Sequence, residues 1–163
     1  MIISQKFIED TQNRSINIVP LIHIEKDSIN NIYLSTNSLT FEDKYYNPIL
    51  LNISSIRESL NLQSKNYSIS NMTIDISNAL VGNKRFSDYS GDLTNAIVTV
   101  YWKSPNTNTI NECIRVFVGK IRNISTQTNK IKLSIEDYSQ DEMHKDVPIS
   151  IMTNSENTTV TEK

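Results

Sequence analysis

From Tyr67 to Ser77 the sequence alternates, and this rhythm limits the folds open to the chain. Ser68, Ser70, Met72, Ile74 and Ile76 fall on one side, and Ile69, Asn71, Thr73 and Asp75 on the other. A period of two with β-branched residues specifies a half-buried strand, because successive side chains of an extended backbone point to opposite faces. Ahead of it, Ile53 to Gln63 carries Arg57, Glu58, Leu60 and Leu62 and reads as a second strand, with Lys65-Asn66 as the polar turn. This pair, with the later strand packed centrally, predicts an all-β domain.

The rest of the chain fits such a domain. Ile16 to Glu25 has apolar residues on both faces (Ile18, Val19, Leu21, Ile22, Ile24), the pattern of a strand covered on both sides. Ile32–Ser35 returns as its hairpin partner. Leu39–Phe41 and Tyr45-Tyr46 flank the charged tip Glu42-Asp43-Lys44 and form a smaller hairpin, ended by Asn47-Pro48. Ala96–Lys103 is a buried strand. Cys113–Ser125 is a long one in which Ile114, Val116 and Val118 share the core face. Its apolar register slips after Gly119, which predicts a bulge or a barrel corner there. Lys130–Glu136 alternates, with Ile131, Leu133 and Ile135 inward, and one helical turn is expected near 137–145.

Two segments break the pattern. Lys6–Ser15 reads as a short helix or arm with Phe7 and Ile8 at its start. Residues 79–95, rich in Gly and Asx, form an irregular excursion holding Phe86 and Tyr89. Neither carries a long apolar stripe, so both are expected to contact neighbouring subunits through Phe7, Ile8, Phe86 and Tyr89, aromatics being favoured at interfaces. The expected organisation is an N-terminal arm over residues 1–15, a β-domain over 16–150, and a polar linker or disordered tail over 151–163.

Composition narrows the function classes. Sixteen Lys and Arg stand against 18 Asp and Glu, a net charge of −2, which argues against electrostatic nucleic-acid binding. The single cysteine, Cys113, cannot form an internal disulfide. The first residues lack a signal-peptide pattern and no apolar run is long enough to span a membrane, so no membrane insertion is expected. His23 and His144 lie far apart in sequence, and one packed and one solvated histidine is the ordinary outcome. Cys113 lacks a Cys-His signature and reads as a small buried hydrophobe. Asp88 with Asp92, and Glu136 with Asp137, read as solvated or capping acids. No phosphate loop, nucleophile elbow or zinc motif occurs. The sequence therefore predicts no enzyme, no catalytic residue, no metal and no cofactor. Tyr45, Tyr46, Tyr89, Tyr101 and Trp102 suggest a sugar platform, but Tyr101 and Trp102 are adjacent on a strand and face opposite ways.

In order and spacing, several pieces together resemble one family. Phe41 and Tyr46 close a hairpin; Ile56, Glu58, Ser59, Leu62, Ile69, Ile74, Ile76 and Ser77 follow; then Val98, Val100, Tyr101 and Trp102, Gly119 with Ile121, and Glu136 with Asp137. Over roughly residues 16 to 148, the chain resembles the N-terminal domain of the tail hub, or baseplate hub, proteins of tailed phages and gene transfer agents. The resemblance implies a tail-tube-like β-barrel or sandwich and a structural virion protein, assembled in the bacterial cytoplasm. It implies a homo-oligomeric ring, a trimer or hexamer, at the end of the tail tube. The tail tube, tape-measure and tail-tip proteins would be its partners, and DNA would pass through the lumen without specific binding. A tail-tip adaptor or distal tail protein, a carbohydrate-binding β-sandwich for host recognition, and a wall-degrading enzyme are the competing readings.

Overall fold

The computed structural model describes residues 3–13, 16–27, 29–56, 58–61, 66–69, 71–80 and 83–138. His144, the expected helical turn beyond Tyr138 and the polar tail lie outside the described residues.

Seven strands form one antiparallel sheet: β1 (Val19–Lys26), β2 (Ile29–Ser35), β5 (Leu50–Ile53), β8 (Met72–Ser77), β9 (Ile97–Lys103), β10 (Ile114–Thr126) and β11 (Lys130–Asp137). Their order is β2-β1-β9-β10-β11-β8-β5. β3 (Leu39–Phe41) pairs with β4 (Lys44–Tyr46), and β6 (Glu58–Asn61) with β7 (Asn66–Ile69), as separate two-stranded hairpins. The sheet curls into a half-barrel. Chain connectivity requires the curl. Asn47 accepts the Ser35 N–H at 2.9 Å and donates to the Tyr33 carbonyl at 3.0 Å, on the outer edge of β2. Leu50, only three residues on, already belongs to the opposite edge strand. Three extended residues span at most about 10 Å, so the two edges must approach one another at this end.

The alternation of β1 sets up two packed layers. Ile22 and Ile24 face the concave side, with Leu34, Met72, Ile74, Ile76, Val98, Val100, Ile131, Leu133 and Ile135, all buried. Leu21 faces the convex side and packs with Phe41, Tyr46 and Cys113. The two-faced apolar strand is thus covered on both sides, by the main core and by the β3–β4 hairpin. That hairpin turns through Glu42 and Asp43, both at positive φ (48° and 59°), the two-residue geometry whose twist matches the flanking strands.

The 67–77 segment is not one central strand. It divides into β7 and β8, and β8 lies next to the sheet edge, between β11 and β5. The inward set Met72, Ile74 and Ile76 is as the alternation predicts.

β10 overturns the expected core face. Ile114, Val116 and Val118 are only half-buried, whereas Phe117, Gly119 and Ile121 are buried. Ile97, within the strand expected to be buried, is 38% exposed. The cause is a pair of bulges. Against β9 the register jumps between Arg115 and Phe117, and against β11 between Ile121 and Asn123. Each inserts one residue and inverts the face of everything after it, so the inward residues run Phe117, Gly119, Ile121 and then Ile124. The slip inferred from Gly119 is real, but it lies on either side of the glycine. Gly119 answers a different need: a Cβ there would overlap the Glu136 carbonyl oxygen and approach Phe117 Cε1 to 2.7 Å and Ile135 Cγ2 to 2.8 Å.

Single anchors rather than stripes seat the two irregular segments on their own chain. α1 (Gln5–Thr11) is capped by Ser4, whose hydroxyl accepts from Phe7 N–H and donates to the Glu112 carbonyl at 2.8 Å. Phe7 is buried, and Asp10 accepts hydrogen bonds from the Ser104 hydroxyl and the Asn106 backbone N–H. In the 79–95 excursion, the short helix α2 (Phe86–Tyr89) and Leu93 place Phe86 and Leu93 in the main core.

Candidate functional site

Two features of the half-barrel could carry function: a buried aromatic cluster on the convex face and an apolar groove at the seam.

The cluster centres on His23. Its Nε2 shares a hydrogen bond of 2.6 Å with the Tyr46 hydroxyl. Its ring lies 5.0 Å from Tyr33, edge-on, and 5.0 Å from Tyr101. Desolvation and the nearby Lys44 charge hold the imidazole pKa down, from 6.5 to about 4. Burial pushes the Tyr46 phenol well up. His23 is therefore neutral at pH 7, packed and closed to substrate. Cys113, beside this cluster, is buried and its thiol is pushed up by burial, which leaves it protonated and unreactive. Both residues take the structural roles expected for them.

The carboxylates do not converge either. Asp88 accepts from the Arg85 backbone N–H at 2.8 Å as a helix cap. Asp92 accepts from Thr94 N–H and meets Lys26 at 3.5 Å. Glu136 pairs with Arg122 at 2.6 Å, and Asp137 is buried. Among the described residues no group of three or more His, Cys, Asp and Glu could hold a metal ion. No helix among them is long and apolar enough to cross a membrane.

The described aromatic side chains of the expected platform do not share one surface. Tyr46 is buried, Tyr101 half-buried, and Tyr45 and Trp102 are exposed. Tyr45 belongs to the convex hairpin and Trp102 lines the groove. Of the four expected contact residues, Phe7 and Phe86 are buried within the chain and Ile8 is 38% exposed. The Tyr89 side chain lies outside the described residues.

The groove is where the concave core runs out. Trp102 shares its face of β9 with Val98 and Val100 but sits at the strand's end, 43% exposed. Ile18, Pro20, Thr36, Leu50–Ile53 and Trp102 line a hollow of about 410 Å³ between the two sheet edges. A second hollow of about 500 Å³ continues it along Ile53–Ile56, Val100, Trp102 and Val116. Among the described residues, no lining residue of either is charged. Leu51, at the register shift of β5, is 56% exposed. β5 pairs with β8 on one side and, among the described residues, has no strand on the other. The sequence hid this groove because its walls come from five separate stretches. The one local sign was an apolar residue, Trp102, ending a buried strand.

No protein-family model matches the chain, and no curated protein matches it. Among solved structures, it matches a chain of the virion of a native gene transfer agent particle, with a TM-score of 0.62 and 12% sequence identity. The likeness is one of fold. It covers 85% of this chain and 46% of the other, so the present chain spans about half the length of the protein it matches.

Proposed function

We propose that this chain is a structural virion protein of a phage-like tail, a tail hub or baseplate component that forms a ring at the end of the tail tube. The observation that carries the reading is the curled half-barrel, shared over most of the chain with a protein of a gene transfer agent virion. The ordered run of strand motifs from Phe41 to Asp137 supports it independently, since it points to the hub N-terminal domain. In this reading the chain has no enzymatic role. His23 and Cys113, the obvious candidates for chemistry, are buried in packing positions. Its partners are further copies of itself and the tail tube, tape-measure and tail-tip proteins, and DNA crosses its lumen without specific contacts.

The test is a density map of particles carrying an affinity-tagged copy. Density for the tag at the distal end of the tail, in three- or sixfold symmetry about the axis, is the expected result. A chain found in the head, or far from the tail axis, would overturn the reading.

A further inference from the structure

We propose that residues 147–152 fill the seam groove of their own chain, as an added strand on the outer edge of β5. The contact lies within one chain, so it stands whether or not the ring forms.

The described residues leave apolar groove wall uncovered. Leu51 is 56% exposed and Trp102 43% exposed, and both line the groove. Contiguous apolar surface of this kind is normally covered. The outer edge of β5 carries no strand among the described residues. An extended apolar segment meets both needs at once. Its side chains cover the walls while its backbone pairs with the edge, as in strand addition.

Composition selects the segment. Of the stretches outside the described residues, only this one holds more than two apolar residues: Val147, Pro148, Ile149, Ile151 and Met152, with Ser150 between them and no charge. Asp141, Glu142, Lys145 and Asp146 precede it, and polar residues follow from Thr153. In extended form Val147, Ile149 and Ile151 share one face. Pro148 lacks an amide N–H, which suits a strand at a sheet edge.

Topology brings it within reach. Leu133 of β11 and Ile53 of β5 both pair with Ile74, each antiparallel to β8, so β5 and β11 run in the same direction. Asp137 ends β11 four residues beyond Leu133. Two strand spacings across and four residues back put Ile53 about 17 Å from Asp137. Ten residues on from Asp137 is Val147, a length that spans at most ~33 Å and leaves slack for a reversal. A chain that reverses after β11 runs antiparallel to β5, the orientation that a short return allows. So short a tether also gives the segment an effective concentration on the order of millimolar, which favours it over an untethered occupant.

Trp102, the only tryptophan, reports on the occupant. In the full chain as a monomer, its quenching by acrylamide should be several-fold weaker than in an Ile149→Asp, Ile151→Asp double variant, whose emission should shift to the red. Ser150→Asp, on the opposite phase, should leave Trp102 shielded. Hydrogen exchange should show the 147–152 amides protected in the unaltered monomer and released in the double variant. Leu51→Asp, at an exposed position of the groove wall, should release the same amides, so the test does not hang on the double variant alone. Circular dichroism checks that each variant keeps its fold.

Equal quenching of Trp102 in the unaltered chain and the double variant would overturn the inference. So would 147–152 amides that exchange freely in the unaltered chain, or protection that survives Leu51→Asp. Release by Ser150→Asp as complete as by the double variant would overturn it too, since an edge strand buries one phase. Shielding that appears only as concentration rises and sedimentation shows oligomers would mean that a second copy fills the groove, against the proposal. None of these outcomes bears on the ring reading, which the tail map decides.

Discussion

His23 shows how one residue carries the chemistry of a layer. It lies on the convex face of β1, beneath Tyr46 of the hairpin and between Tyr33 and Tyr101. The fold holds it neutral, with a pKa of about 4 against 6.5 for the ordinary imidazole. The unfolded chain therefore takes up a proton at this site between those values while the folded chain does not. Stability is highest above about pH 6.5 and falls as the pH is lowered towards 4, by on the order of 2–3 kcal/mol. Urea unfolding at pH 7, 5.5 and 4 should show this slope. In a His23→Phe, Tyr46→Phe double variant, which removes the titrating ring and its hydrogen-bond partner together, the slope over that window should flatten. A slope of equal steepness in the double variant would place the titration elsewhere.

At the scale of elements, legibility depended on whether apolar residues occupied one phase of the alternation or both. β11 has isoleucine and leucine only at alternate positions, and Ile131, Leu133 and Ile135 are buried as expected. In β10 the run Val116-Phe117-Val118 is apolar on both phases, so alternation alone could not select a face. The bulges flanking Gly119 decided it, and they arise from pairing with β9 and β11, which a single strand's pattern does not contain. The β3–β4 hairpin was legible because its tip residues and flanking aromatics are all local. The groove was not, because Pro20, Leu51, Trp102 and Val116 meet only after the sheet curls. The core faces make a paired expectation. Phe117→Ala should cost about 3–5 kcal/mol and Leu133→Ala about 2–5 kcal/mol through loss of buried area and an unfilled cavity. Val118→Ala and Lys132→Ala should cost clearly less. Thermal melts in which Val118→Ala destabilises more than Phe117→Ala would mean that the assigned face of β10 is inverted.

For the whole molecule, the proposed place in a tail raises the question of how the chain would let DNA pass without holding it. Net charge is −2, and the basic residues are interleaved with acids rather than gathered. Lys6 meets Glu112 at 2.6 Å, Arg122 meets Glu136 at 2.6 Å, and Lys130 meets Asp75 at 2.7 Å, each at the surface. Such pairs add little to stability, ~0–1 kcal/mol each. Their consequence for DNA is larger, because a cation already paired with a carboxylate gains little by displacing counterions from a phosphate. Affinity for duplex DNA depends on how many phosphates are neutralised, and its salt dependence has a slope of about −0.9 per phosphate contact. With a net charge of −2 and acids interleaved among its basic residues, the chain should give no measurable anisotropy change with a fluorescent duplex at ~10 µM protein in ~0.15 M salt, weaker than the ~10⁻⁴–10⁻⁶ M typical of non-specific binders. Assembly could still gather charge that the single chain disperses, so the same titration belongs on the oligomer. Micromolar binding by the oligomer, with a logarithmic salt slope steeper than about −3, would reveal a ring that grips DNA and would sink the passive-lumen prediction.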